Sequence, residues 1–322
     1  MSKDLLKYRF PSEASNTVYG TLVQTTPDRM QEGFIFSSFD ATNCYYFQAL
    51  ENDPSVELHF QTKEPYVFTQ REYILQANAF LNGIHQLNLG KAVFSRVKTT
   101  PFDGSKAIQL YEELCLRYPN ALVYLLSSKL LGTWIGASPE VLLEAHDSWI
   151  FTMALAGTKP TADAIEWGEK EQIEQELVTD FIVDQLKELQ VDSIEAAGPY
   201  DFEAGPVTHL RTDISAEINQ LSPWEVAQRL HPTPAVSGLP RAEAMALIQS
   251  TEVHDRGLYT GMIGILESDK ARLYVNLRCA QIQQDRIFLY VGGGFTPQSV
   301  PELEWQETEN KSRTLLNVIE QI

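Results

Sequence analysis

The chain has 322 residues and a formal charge of −18, with 43 acidic side chains against 25 Lys and Arg. That balance excludes a partner recognised through phosphates, whether nucleic acid or an anionic membrane, because such binding needs clustered cations. A hydrophobic fraction of 43% suffices for a globular core, and three scattered cysteines (Cys44, Cys115, Cys279) suggest neither a disulfide framework nor a thiolate metal site. The N-terminus MSKDLLKYRF has no apolar run of signal-peptide length and no stretch reaches membrane-spanning length, so a cytoplasmic protein is expected.

In chain order, Thr17 to Gln24, Gly33 to Phe39 and Ser55 to Phe60 place β-branched and aromatic residues at alternate positions and predict short strands without visible chemistry. From Thr69 to Leu89, apolar residues recur at three and four, which predicts an amphipathic helix. The next stretch, KAVFSRVKT (Lys91 to Thr99), predicts a strand with Lys91, Val93, Ser95 and Val97 on one face. A lysine in register with valines is unusual. It either snorkels to water from a strand end, the commoner case, or is a buried amine with a pKa lowered by desolvation and nearby positive charge, able to act as a base.

A helix (Ser105 to Tyr118) and a strand (Ala121 to Ser128) follow, then VLLEA and WIFTMALAG, a predicted hairpin turning at His146 to Ser148. Glu140 follows Ser138-Pro139 at the mouth of an apolar strand. A carboxyl there is commonly solvated, but apolar neighbours would raise its pKa and suit it to general-acid work. Gly157 and Thr158 are expected to close the hairpin, with main-chain donors available to a carboxylate. Glu169 to Leu189 predicts a helix whose apolar arc holds Ile173, Leu177, Val178, Phe181, Ile182 and Leu189, with Glu174 near its middle. A glutamate there calls for a cationic side chain or a metal ion.

A polar stretch (Pro199 to Ile218) leads to a helix at Ser222 to Leu230 and the rigid turn HPTPAVSG, which could hold His231 against a ligand, although a lone histidine is more often structural. After a helix at Arg241 to Gln249, strands at Tyr259 to Glu267, Ala271 to Gln283 and Arg286 to Gly292 predict an antiparallel meander. Arg278, in an otherwise apolar strand, suits bidentate capture of a carboxylate or a buried ion pair. The Gly292 to Gly294 run allows close backbone approach but lacks the flanks of a dinucleotide or P-loop motif. The terminal helix starts near Pro301, and on it Glu307 and Lys311 taken alone read as a surface i,i+4 pair. Glutamates with no His or Cys pairing favour a hard ion, and magnesium takes one or two carboxylates, with water and substrate completing the octahedron.

The ordered segments LGKAVFSR, GASPE, ALAGTKP, IEQELV, LHPTPAVSGLP, DRGLYTG, LRCA, the GGG run and SVPELEWQETENK resemble the motif series of the chorismate-utilising enzymes, from about Leu89 to Ile322. The combination of Lys91, HPTPA and LRCA is most similar to the isochorismate synthase branch. Amine-transferring members usually lack the lysine, and pyruvate-eliminating members such as salicylate synthase tend to differ at His231 to Ala235.

The resemblance implies one α/β (α+β type) chorismate-binding domain over residues 1–322, of the aminodeoxychorismate synthase-like fold. Two large, mostly antiparallel β-sheets would pack face to face with helices outside, residues 1–88 being a shortened scaffold. It implies Lys91 as the base activating water, Glu140 as the acid, and Glu174 and Glu307 as Mg2+ ligands, with Glu171 and Glu304 as fallbacks. Tyr259, Arg278, Gly292 and Gly294 would hold the enolpyruvyl carboxylate, with Gly157, Thr158, His231 and Lys311 completing the site. The expected reaction is isomerisation of chorismate to isochorismate, for menaquinone or a catechol siderophore, by a monomer without a glutaminase subunit. A related lyase making salicylate or an aminated product, or a non-catalytic chorismate or metal sensor, are the competing expectations.

Overall fold

The computed structural model describes residues 3–50, 57–161, 166–204 and 207–322. The first strands are β1 (Asp4–Arg9), β2 (Asn16–Thr25), β3 (Gly33–Ser37) and β4 (Cys44–Ala49). They pair in the order β3-β4-β2-β1, antiparallel throughout. Of the strand expected at Ser55 to Phe60, the first two residues lie outside the described part. The rest runs without ladder pairing, its main chain tied instead by His59 N–H donating to Ser127 Oγ at 2.7 Å.

Helix α1 (Gln70–Gln86) starts at a capping box in which Thr69 and Glu72 satisfy each other's main-chain donors. Its buried residues Tyr73, Ala77, Phe80 and Ile84 keep the predicted spacing. It delivers the chain to β5 (Lys91–Pro101), after which come α2 (Ala107–Arg117) and the strands β6 (Leu122–Ser128), β7 (Gly132–Ser138), β8 (Val141–His146) and β9 (Trp149–Pro160). Helix α3 (Glu169–Glu188) precedes a long ribbon of β10 (Asp192–Ala204) and β11 (Val207–Glu217), which the polar sequence there had not suggested. The remaining elements are α4 (Pro223–Leu230), β12 (Gly238–Leu239), α5 (Arg241–Thr251), β13 (Met262–Leu266), β14 (Lys270–Val275), β15 (Cys279–Ile282), β16 (Arg286–Phe295) and α6 (Pro301–Ile319).

Hydrogen bonding runs unbroken through sixteen strands, in the order β10-β11-β9-β8-β14-β13-β3-β4-β2-β1-β6-β7-β15-β16-β5-β12. The two expected facing sheets are the halves of this ladder. An apolar layer between them contains Phe34 and Phe36 of β3, Tyr124 and Leu126 of β6, Ile263 of β13, and Phe288 and Tyr290 of β16. Outside one half, α2 and α6 cover Val123, Leu125, Ile135 and Leu289. A third cluster joins α1, α3, α4 and α5 to residues such as Phe94, Leu143, Ala154 and Ile214. Burying these apolar faces is the dominant favourable term in folding. Among the described residues no helix is long and apolar enough to cross a membrane.

The expected meander is two hairpins, β13–β14 and β15–β16, in different halves. The chain bends between them at Asn276 to Arg278, where Arg278 has φ of 49°, and bends in the same way from β7 to β8 at Pro139 and Glu140. Because β7 pairs with β15 and β8 with β14, the two bends lie side by side: Val275 N–H donates to Glu140 O at 3.0 Å and Ala137 N–H to Arg278 O at 3.1 Å. An uninterrupted strand cannot serve both halves, so the corner brings a carboxyl and a guanidinium together.

Candidate active site

The pocket lies where this corner meets the ends of the strand order. A cavity of about 180 Å³ is lined by Lys91 and Val93 of β5, Glu140 of the corner, Gly157 of β9, Glu171 and Glu174 of α3, and His209 of β11. Ala235 and Val236 of the proline turn, Tyr259 and Thr260, Arg278, Gly292 to Gly294 of β16, and Glu304, Glu307 and Lys311 of α6 complete its walls.

Lys91 lines the cavity and is not turned to the outer surface. It is 5% exposed, and its ammonium donates to Glu174 Oε1 at 2.5 Å. The snorkelling reading therefore fails, and the charge beside the amine is a carboxylate, where the buried-amine reading expected a cation. The strand alternates as expected: Lys91 and Val93 face the cavity, while Phe94 and Arg96 face the helices, Arg96 stacking 3.7 Å over the Trp305 ring.

Glu140 is 7% exposed, and burial pushes its carboxyl up to about 7, against the opposing pull of Lys91, Arg278 and Lys311. Arg278 sits at the strand corner in the left-handed region, outside the strand interior where alternation had placed it. Burial also lifts the Tyr259 hydroxyl pKa above its ordinary value, keeping it a neutral hydrogen-bonding group.

The triple glycine is explained by what stands over it. A Cβ on Gly292 would come 3.0 Å from Tyr259 Oη, on Gly293 2.7 Å from Glu304 Oε2, and on Gly294 2.7 Å from Lys91 Cε and 3.6 Å from Glu174 Oε1. Side chains on this strand would displace the pocket's own lysine and carboxylates. Lys311 closes the same wall, donating to Gly292 O at 3.0 Å and to Glu307 at 2.6 Å. The surface-pair reading thus had the geometry right, but the pair lies on the cavity wall.

On α3 the buried stripe is Gln175, Val178, Ile182 and Leu186. Ile173 and Leu177, expected inside, are 49% and 37% exposed. Glu174 therefore stands at the edge of the buried stripe, facing the cavity, with Glu171 one turn before it. Both alternatives to the favoured carboxylates, Glu171 and Glu304, line the cavity too, and Glu304 is buried and accepts from Ser299 Oγ at 2.7 Å. These carboxylates and the room left by Gly293 and Gly294 suit a hard cation. Among the described residues no group of three or more His, Cys, Asp or Glu side chains is placed to hold a metal ion. A pair of carboxylates completed by water and ligand is the arrangement magnesium favours.

Gly157 does not close the hairpin. β9 continues past it, and the register against β11 shifts so that Gly157 and Thr158 oppose the single residue His209, a β-bulge, with Gly157 at φ of 63°. The side chain of Thr158 lies outside the described part. His209 is buried against the bulge, its Nδ1–H donating to Gly157 O at 2.9 Å, and burial lowers its pKa to about 4, so the ring is neutral. Sequence reasoning passed over this residue; the alternation of Leu210, Thr212, Ile214 and Ala216 was the available sign of a strand there.

His231 is not in the cavity wall. It is 4% exposed, its Nε2–H donates to Phe39 O at 2.9 Å, and burial lowers its pKa to about 4. Of the HPTPA segment, it is Ala235, with Val236 beyond, that meets the pocket.

A fold of two facing halves with a carboxylate- and lysine-lined pocket at their corner defines the class. The chain belongs to the chorismate binding enzyme family, whose model matches residues 29–320. The isochorismate synthase EntC of Escherichia coli (strain K12) is 32% identical over 199 residues, covering 58% of this chain and 51% of that protein. Anthranilate synthase component 1 of Aquifex aeolicus is 28% identical over 80% of this chain and 53% of its own length. The matched region thus spans about half the length of these curated relatives. Among solved structures, the menaquinone-specific isochorismate synthase MenF from Escherichia coli superposes with a TM-score of 0.82 over 99% of this chain and 89% of that one, at 22% identity, a likeness of fold.

Proposed function

We propose that this protein is an isochorismate synthase, an isomerase that converts chorismate to isochorismate by adding water at C2 and releasing the C4 hydroxyl. The observation that carries this reading is that a buried lysine and a buried carboxyl with raised pKa, Lys91 and Glu140, line one cavity with Arg278 and Lys311. In the proposed reaction Lys91, once its ammonium has given up a proton, acts as the neutral amine and takes a proton from a water that adds at C2. The ring double bonds shift, and Glu140 protonates the C4 hydroxyl, which leaves as water. No atoms are gained or lost overall. A carboxyl titrating at about 7 is about half protonated at neutrality, so a substantial fraction carries the proton a general acid needs.

Arg278, Lys311 and Tyr259 hold the substrate carboxylates in this reading, and the two cations Arg278 and Lys311 supply positive charge to a dianion approaching a chain of net charge −18. Glu174, together with Glu307 or Glu304, would hold Mg2+, whose role when bound is to neutralise a substrate carboxylate and fix it in place. Turnover is expected to vanish in excess chelator and return with added Mg2+; activity persisting in chelator overturns the metal assignment. The product serves menaquinone or catechol siderophore synthesis alike.

A further inference from the structure

The strand that carries Lys91 lacks a proper neighbour on one side. β12 pairs with β5 at only Ala92 and Lys91, and beyond them Ser237 O accepts from Val93 N–H at 2.8 Å. From Val93 O onward the edge is covered by a buried ion pair outside the pocket wall. Arg256 Nη2 donates to Val93 O at 3.0 Å, and Glu252 Oε1 accepts from Ser95 N–H at 2.7 Å and Ser95 Oγ at 2.8 Å. A side-chain pair thus supplies the acceptor and the donor that a neighbouring strand would offer.

Every donor of the Arg256 guanidinium is used. Nε and Nη2 donate to Glu252 at 2.8 and 2.7 Å, Nη1 donates to Val236 O at 3.1 Å and Thr260 Oγ1 at 3.3 Å, and Nη2 also reaches Val93 O. Its plane lies 3.9 Å over the Phe39 ring, and both side chains of the pair are 4% exposed. Val93, Val236 and Thr260 all line the cavity, whereas neither Arg256 nor Glu252 does. One guanidinium therefore joins three separate stretches of pocket wall: the strand of the lysine, the proline turn and the turn holding Tyr259.

We infer that Arg256 and Glu252 are positioning residues for the reaction, fixing the Lys91 amine against the substrate without touching either. This rests on Lys91 acting as the base. Lysine cannot replace Arg256, because an ammonium has three donors on one atom and cannot span acceptors on three chain segments.

The test is Arg256→Lys, alone and in a Lys91→Ala background, each assayed on protein shown to be folded by thermal denaturation. The expected result is a kcat lowered roughly a hundredfold with KM changed by less than about threefold, because a base displaced by an ångström is felt in the transition state. In the Lys91→Ala background the further loss is expected to be under about threefold, since no amine remains to be misplaced. A wild-type kcat in Arg256→Lys, or the same hundredfold loss in both backgrounds, overturns the positioning role and leaves the base assignment standing. Lys91→Ala turning over like the wild type overturns both. Should Arg256→Lys fail to fold, the pair is replaced by Glu252→Leu with Arg256→Met. That variant is expected to be folded and similarly impaired in kcat, and full activity in it overturns the inference.

Discussion

The pocket holds a lysine against a glutamate twice, in different ways. Lys91 and Glu174 come from β5 and α3, 83 residues apart, and their side chains are 7% and 21% exposed. Lys311 and Glu307 lie one turn apart on the same helix, at 22% and 43% exposure. The first pair exists only because the two sheet halves close on one another. The second would form in an isolated helix and stabilises it by about 0.2–0.5 kcal/mol. Similar chemistry is therefore a tertiary product in one pair and a local one in the other, and substitutions should separate them.

The largest effect is expected for Lys91→Ala, with kcat lowered about 10²–10⁴-fold if the amine is the base. Steady-state kinetics with chorismate checks it, and turnover near wild type would remove the distinction between the pairs. Glu140→Gln should lower kcat over the same range and also change the pH dependence of stability. The folded carboxyl titrates at about 7 against an ordinary 4.5, so between these values the folded protein binds more protons than the unfolded chain. Stability contributed by the protonated form is complete below 4.5 and is lost as pH rises through 7, by on the order of 3 kcal/mol. Urea titrations of the Gln variant should show that fall removed.

Gly294→Ala tests the lysine's surroundings without removing it. The added methyl meets Lys91 Cε at 2.7 Å, and a roughly tenfold or greater loss of kcat is expected, with the fold kept. The smallest structural effect belongs to Lys311→Met. Losing the pair together with the bond to Gly292 O should cost about 1–2 kcal/mol in urea unfolding. The same substitution should raise KM roughly tenfold or more by removing a charged donor to the substrate. An unchanged KM would return Glu307 and Lys311 to the status of an ordinary helix pair.

The same contrast explains what could be read from the sequence. The helices α1, α3 and α6, the strand β5 and the hairpins are written in local periodicity, and the motif series brought Lys91, Glu140, Arg278 and the glycines to one site. What depended on the halves meeting was less visible. Arg278 looked like a strand residue because the chain on both sides of it alternates; the bend at Asn276 to Arg278 follows from pairing with β8 on one side and β7 on the other. His209 was missed because its place in the wall is made by a bulge in the neighbouring strand. His231 was expected in the pocket because the rigid turn that carries it reaches there, but its ring is turned away to the Phe39 carbonyl. Ile173 and Leu177 completed an apolar arc on paper, whereas the facing strands bury only the stripe from Gln175 to Leu186.

The most direct measurement is chromatographic product analysis after incubating the purified protein with chorismate and Mg2+, without ammonia or any partner protein. The expected result is a mixture of chorismate and isochorismate with no pyruvate. Salicylate with pyruvate would contradict the isomerase reading in favour of a lyase, and chorismate recovered unchanged would contradict catalysis by Lys91 and Glu140 under these conditions.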